Sequence, residues 1–529
     1  MASFDLLVER WIPAARMDGS VGQYGVVGLL EAAHELAGLV EPAPSVQLGI
    51  YRFLIAFVMD AYSLKEIWQI EDLLRTGGFE PERIRAYIDL VGRSRFDLFH
   101  PEHPFMQPLV EGEAGTECIN KLFQHLPSGS FTTHFHHLDP AAQAFAPAVC
   151  ARGLLAIPPF MTAGGAGYSP SVNGAPPWYV LVKGTTLFET IVLNCCVLPI
   201  PELEGDEPPA WRTERPVKPR QEARCTSLLE GLTWRPRQIR LIPSEGGVCT
   251  YSGQYSDVLV RQMRFSFGFK YGGGWTDPQV AYRIDANGQS PLRPREGREL
   301  WRDIGPVAFL RRHEYESERG KVRFQRPQVV EQYVDLLEMG ALPHCRSVID
   351  LEVFGVRTDL KMKIFEWQCE RLSLPTQVAE TPGAGARIQT GLEMAETVGY
   401  LVGRAMKMAY PREGKSNTQA FKGLIESAER EFWAGLRPCF EAEYMLKLPD
   451  LDASDPEAFP ALLEEWRTIL RRHGREVLDR HLEGLDANAQ ELRRQVAARD
   501  SYELGVYRAL YGPREKQESQ SKRKGRQAS

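Results

Sequence analysis

No run of about 18 or more apolar residues occurs in this chain of 529 residues, and even Val180 to Pro201 is interrupted by Lys183, Glu189 and Asn194. A membrane-spanning helix is therefore not expected. The opening Met1-Ala2-Ser3-Phe4-Asp5 has no basic segment followed by an apolar stretch, so no secretory signal is expected and the cytoplasm is the anticipated location. Cysteine is scarce and scattered: of nine residues only Cys195 and Cys196 are close together, a spacing that disulfide geometry disfavours, so reduced thiols are expected. Catalytic signatures are missing as well. The absence of GxxxxGK[ST], GxSxG, CxxC and HExxH removes the usual grounds for a phosphate loop, a nucleophile elbow, a dithiol centre or a helical zinc site.

What is present points to a large soluble chain of more than one domain. Single cores stop growing near roughly 250 to 300 residues. The hydrophobic fraction of 43% and charged fraction of 25% are those of globular proteins. A net charge of −6 argues against coating of nucleic acid by the whole surface but leaves room for local basic patches.

Residues 1–375 are rich in Pro and Gly, with short alternating runs, which predicts a mixed α/β domain. A helix is expected at Ser45 to Ala61, where Leu48, Tyr51, Leu54, Ile55 and Val58 recur at helical spacing. Strands are expected at Trp178–Val182, Gln238–Ile242, Met263–Phe269 and Val348–Val353. After Pro375 the texture changes to long amphipathic segments, which predicts a four-helix bundle over residues 376–512. Its helices are expected near Ile388–Ala409, Thr418–Leu446 with a kink or break at Pro438, after the cap Ser454-Asp455-Pro456-Glu457, and at Ala489–Leu510. Residues 513–529 carry Lys516, Lys522, Arg523, Lys524 and Arg526 with no large apolar residue, a disordered basic tail by composition. The expected class is α+β: a large irregular mixed N-terminal domain followed by the C-terminal bundle.

Three constellations invite a function. His100 and His103, with His134, His136, His137 and Asp139, would suit zinc or manganese and hence a metal-dependent nuclease, but Pro101 and Pro104 break any ligand-bearing helix there. The small residues Ala163, Gly164, Gly165, Ala166 and Gly167 would let backbone approach a ligand closely, or form a simple surface turn. In Met263-Arg264-Phe265-Ser266-Phe267 alternation sends the aromatics to one face and leaves Arg264 on the other, free to meet a phosphate or a base edge.

The segments Phe4 to Pro13, Phe96-Asp97-Leu98-Phe99-His100-Pro101-Glu102-His103-Pro104-Phe105-Met106-Gln107, Pro176-Pro177-Trp178-Tyr179-Val180-Leu181-Val182-Lys183-Gly184 and Gly231-Leu232-Thr233-Trp234-Arg235-Pro236 together resemble the CasA family, the large subunits of type I-E CRISPR Cascade complexes. The resemblance implies a non-catalytic protein without cofactor, whose partners are crRNA, target double-stranded DNA, other Cascade subunits and a helicase-nuclease. It implies that the loop 163–167 meets the minor groove beside the protospacer-adjacent motif, that Arg264 contacts the same DNA, and that Phe135 lies near the guide's 5′ end. It also implies a hairpin wedge that parts the first base pair, at Asp359, Leu360 and Lys361, where the glutamine common in the family is missing. Some relatives cluster cysteines around the position of Cys249; this chain retains only that one, so no structural zinc is expected there.

Overall fold

The computed structural model describes residues 2–108, 115–126, 142–163, 167–310, 322–342, 347–358, 364–381, 383–410, 418–452, 454–484 and 488–512, the side chains of residues 418–421 excepted. Phe135, His134, His136, His137, Asp139, Gly164, Gly165, Ala166, Asp359, Leu360, Lys361 and the tail 513–529 lie outside them. The chain forms two compact units: Met1–Glu296 with Pro306–Thr376, and Gly297–Gly305 with Gln377–Ser529. With mixed sheets in the first and long helices in the second, the class is α+β, as the sequence predicts.

The first unit is built around α1 (Pro44–Tyr62), which is apolar on every side and is buried on every side from Ser45 to Met59. Pro44 opens it where a missing N–H does no harm, and Ser63 ends it in the left-handed region at φ 50°. Against it lies α2 (Pro147–Phe160), so close that a Cβ on Gly49 would sit 2.4 Å from the Leu155 carbonyl oxygen. Only glycine permits that approach. The one full charge in the middle of α1, Arg52, is matched by Asp277 at 2.9 Å and donates also to Gln279 Oε1 at 2.9 Å. Without such partners a buried guanidinium would cost several kcal/mol, on the order of 3–5.

Two antiparallel sheets of this unit carry the candidate residues. Their strands are β1 (Thr116–Cys118), β2 (Tyr179–Lys183), β3 (Arg237–Val248), β4 (Tyr255–Phe267), β5 (Val348–Thr358) and β6 (Ile364–Pro375). One sheet has the order β1-β4-β3 and the other β6-β5-β2. Each expected strand is there, but β4 stops at Phe267, short of the expected Phe269, while β3, β4 and β5 otherwise run well past the apolar cores that signalled them. Backbone pairing continues through polar residues because the partner strand, not the side chain, satisfies the N–H and C=O groups.

In the second unit four long helices, α3 (Ala384–Ala409), α4 (Thr418–Glu443), α5 (Ala458–Glu483) and α6 (Ala489–Tyr511), pack together, with α3 touching the other three. Trp466 of α5 donates its indole N–H to the Gly391 carbonyl of α3 at 3.0 Å. Of the kink or break expected at Pro438, the break does not occur: α4 continues to Glu443, and Phe440 in its last turn packs its ring on Trp301, Tyr444 and Trp466 at 5.5 to 5.8 Å. Nor do Ser454 and Glu457 form a capping box: Ser454 donates to Asp452 Oδ1 at 2.7 Å, and α5 starts at Ala458 without a side-chain cap. The well-capped helix is α6, where Asn488 Oδ1 accepts from the Gln490 and Glu491 amides.

Candidate nucleic-acid interface

The sheet β1-β4-β3 has two chemically different faces. Register pairs Ile239 with Phe265 and Arg237 with Phe267 on one face, and Arg240 with Arg264 on the other. Phe265 and Met263 are buried while Arg264 is exposed, as alternation predicts.

On the aromatic face lie the residues that flank 164–166, held by one side chain. The buried guanidinium of Arg237 donates to the carbonyls of Thr162 at 2.7 Å, Ser169 at 2.6 Å and Ala163 at 3.4 Å, so it ties both stems of the loop to β3. Burial pushes its pKa down to about 10, still far above neutrality, so the charge is retained. The Tyr168 ring lies 4.7 Å from this guanidinium and stacks on Phe267 at 4.2 Å with 21° between planes. Beyond these anchors Gly167 is exposed at φ +85°, and a Cβ there would meet no atom of the described residues within 4 Å. The need for glycine at this point is conformational.

Arg264 stands on the other face, between Thr116 of β1 and Arg240 of β3. Among the described residues it has no hydrogen-bond or ion-pair partner. Arg240 is used structurally: it donates to the carbonyls of Pro101 at 2.6 Å and His100 at 3.2 Å, which fastens the His100-Pro101-Glu102-His103-Pro104 turn under the sheet. Burial, with the like charge of Arg264 added, lowers the Arg240 pKa. Gly167 and Arg264 are therefore carried by one sheet but aimed from opposite faces.

The histidine turn is organised for backbone satisfaction. His100 Nδ1 accepts from the amides of His103 at 3.0 Å and Glu102 at 3.3 Å, and the two imidazoles stack at 6.0 Å. No group of three His, Cys, Asp or Glu side chains among the described residues is arranged to hold a metal ion. Cys249 likewise serves a turn, its sulfur accepting from the Ala146 and Ser252 amides at 3.2 and 3.5 Å.

The β5–β6 hairpin is described up to the pair Thr358–Ile364, with a register shift at Arg357 and Thr358. At that shift Phe365 is 53% exposed, with the Arg357 guanidinium 4.9 Å from its ring centre. Arg357 is itself shared by Glu296 and Glu366 at 3.5 and 3.4 Å. Further down β6, Trp367 meets His125, whose pKa is lowered by burial.

Sequence reasoning missed Arg237 and Tyr168 as parts of the loop's support. The contacts from Arg237 to Thr162 and Ala163 span 75 and 74 residues, and no local periodicity announces them.

Residues 5–477 match the model of the family described as CRISPR-associated protein Cse1. A CRISPR-associated protein CasA/Cse1 of Thermus thermophilus is 29% identical over 525 residues, covering 93% of this chain and 97% of that protein. Among solved structures, a CRISPR-associated protein from Thermus thermophilus superposes with a TM-score of 0.73 at 26% identity, over 96% of this chain and 99% of that one. Cse1 from Acidimicrobium ferrooxidans gives 0.71 at 22% identity, over 97% and 100%. A chain of a CRISPR RNA-guided surveillance complex shares the fold at 0.70 and 19% identity, over 95% and 100%.

Proposed function

The chain belongs to the Cse1 family of CRISPR-associated proteins, and from that premise we propose that it is the non-catalytic large subunit of a type I-E, crRNA-guided Cascade surveillance complex. In this reading it inspects the protospacer-adjacent motif of target duplex DNA, helps to start R-loop formation and recruits the helicase-nuclease. Guide pairing reads the target sequence, so the protein has only a short flank and the shape of the duplex to recognise.

The observation that carries the reading is the clamp of Arg237 on both stems of the loop 163–167. Anchored stems around a run of small residues, with Gly167 exposed, suit a minor groove about 6 Å wide, where side chains would obstruct and where sequence readout is degenerate. Arg264, exposed and without an acceptor among the described residues, adds a phosphate contact from the other face of the sheet. Asp359, Leu360 and Lys361, between β5 and β6 in the sequence, act as the wedge, and Phe135 lies near the guide. The protein works in the cytoplasm, bound to the other Cascade subunits, and needs no cofactor of its own.

Reconstitution of the complex with and without this chain tests the reading. Omission is expected to abolish motif-dependent binding of duplex targets while single-stranded complementary targets still bind. Unchanged duplex affinity and motif preference in its absence would contradict the proposal.

A further inference from the structure

We propose that Arg220 contacts a DNA phosphate on the aromatic face of the sheet, beside the glycine loop; this rests on the reading of the loop as a groove-binding element. Arg220 adopts φ +61°, one of three positive-φ non-glycine residues among those described. Another, Ser63, is the ordinary left-handed end of a helix. Arg220 ends no helix. A left-handed arginine costs about 1–2 kcal/mol, and such outliers gather where function requires a particular side-chain placement.

The backbone around it is fixed. The Arg220 amide donates to the Gly268 carbonyl at 3.2 Å, and Lys270 donates back to the Gln221 carbonyl at 3.0 Å, which lashes the turn to the end of β4. Held this way, the Arg220 guanidinium lies 3.9 Å from the centre of the Phe267 ring. Tyr168 stacks on the same ring at 4.2 Å. Two groups this close to one ring centre cannot share a face, so Arg220, Phe267 and Tyr168 form three layers, the last of them adjoining Gly167.

The layered guanidinium is exposed and has no acceptor among the described residues. Neighbouring carboxylates are already engaged: Glu222 with Lys270 at 2.5 Å, and Glu214 with Arg95. Lys218, two residues away, is exposed as well. A cation immobilised on an aromatic ring keeps its N–H fork available at the edge, and the acceptor that fits a fork is a phosphodiester or a carboxylate. Next to a loop that meets duplex DNA, the phosphodiester backbone is the ligand the geometry favours. Arg264, aimed from the opposite face, cannot supply this contact.

The experiment uses the complete guide-loaded complex carrying Arg220→Ala, Arg220→Lys or Gly167→Asp, titrated with duplex and single-stranded targets at several salt concentrations. Arg220→Ala is expected to weaken duplex binding and to reduce the slope of log K against log salt by about 0.9, the value for one phosphate contact. Arg220→Lys is expected to retain the slope because the charge remains, and single-stranded binding and guide retention are expected to be unchanged. An unaltered slope in Arg220→Ala, with Gly167→Asp still losing duplex binding, overturns the proposal and leaves the loop reading standing. If Gly167→Asp also binds duplex normally, the loop reading fails and this inference with it. Equal loss of duplex and single-stranded binding in Arg220→Ala, or loss of guide RNA instead of target DNA, overturns it too, as a folding role or a guide contact.

Discussion

Arg237 and Tyr168 are in direct contact, the guanidinium 4.7 Å from the ring centre, and the same guanidinium bonds the carbonyls that flank the glycine loop at Thr162 and Ser169. One buried cation thus sets the loop's two stems and the ring at its end. Replacing Arg237 by Ala strands these carbonyls and leaves a void under Tyr168. Each lost hydrogen bond to a charged donor is worth about 1.5–3 kcal/mol. Arg237→Ala is expected to lower the unfolding temperature and to weaken duplex binding more than single-stranded binding. Arg237→Lys restores the charge but not the fork, and is expected to recover stability only in part. Thermal melts with paired binding assays check both.

Arg264 makes a separate prediction, because its face of the sheet is not the loop's. Arg264→Ala is expected to leave the fold intact, since the side chain is exposed and without a described partner. It is expected to weaken duplex binding mildly and to reduce the salt slope by about one unit. Salt-dependent binding isotherms measure this, and an unchanged slope removes Arg264 from the interface.

Much of this fold is legible in sequence, and the failures have physical reasons. The apolar stripe from Leu392 to Ala405 marks α3 because helical period and burial coincide. The start of α5 misleads because Asp452, two residues before Ser454, takes the hydroxyl that a capping box would use. Pro438 does not end α4, and the ring of Phe440 just beyond it packs on Trp301 and Trp466. In the site, alternation along β4 gives the exposure of Arg264 directly. The Arg237 clamp and the Arg220 layer depend on contacts between segments distant in sequence, which no local pattern encodes.

The second unit carries its own pH-dependent element. Glu396 accepts from Arg298 at 2.5 Å and from Arg302 at 2.8 Å. Burial would raise its pKa, but the two guanidinium groups outweigh burial and hold it below the ordinary carboxylate value. A depressed folded pKa means stability that is present above the unfolded value of about 4.3 and lost as pH falls through the folded one. The Glu396 side chain is 37% exposed, so screening keeps the contribution to about 0.2–1 kcal/mol. Glu396→Gln is expected to be less stable by that amount at pH 7 and to show a shallower loss on acidification, read from thermal unfolding at pH 7 and at a series of values falling below the ordinary glutamate pKa of about 4.3.

The histidine turn makes a negative prediction. His100 Nδ1 is occupied by two backbone amides, so the turn is held by hydrogen bonds that require no metal. The purified chain is expected to leave DNA uncut in magnesium, manganese or zinc. Metal-dependent cleavage abolished by His100→Ala would restore the nuclease reading.

The most direct test of the central claim is the binding of Gly167→Asp and Gly167→Asn complexes to duplex and single-stranded targets. Both side chains tolerate the left-handed backbone that Gly167 adopts, so strain is nearly matched between them, while only Asp adds a negative charge. Gly167→Asp is expected to lose duplex affinity by about tenfold or more, equivalent to roughly 1.4 kcal/mol, and Gly167→Asn to lose less. Single-stranded targets complementary to the guide should bind both variants nearly as tightly as the parent. Duplex binding by Gly167→Asp as tight as the parent's, or an equal loss on single-stranded targets, would contradict the placement of this loop in the groove.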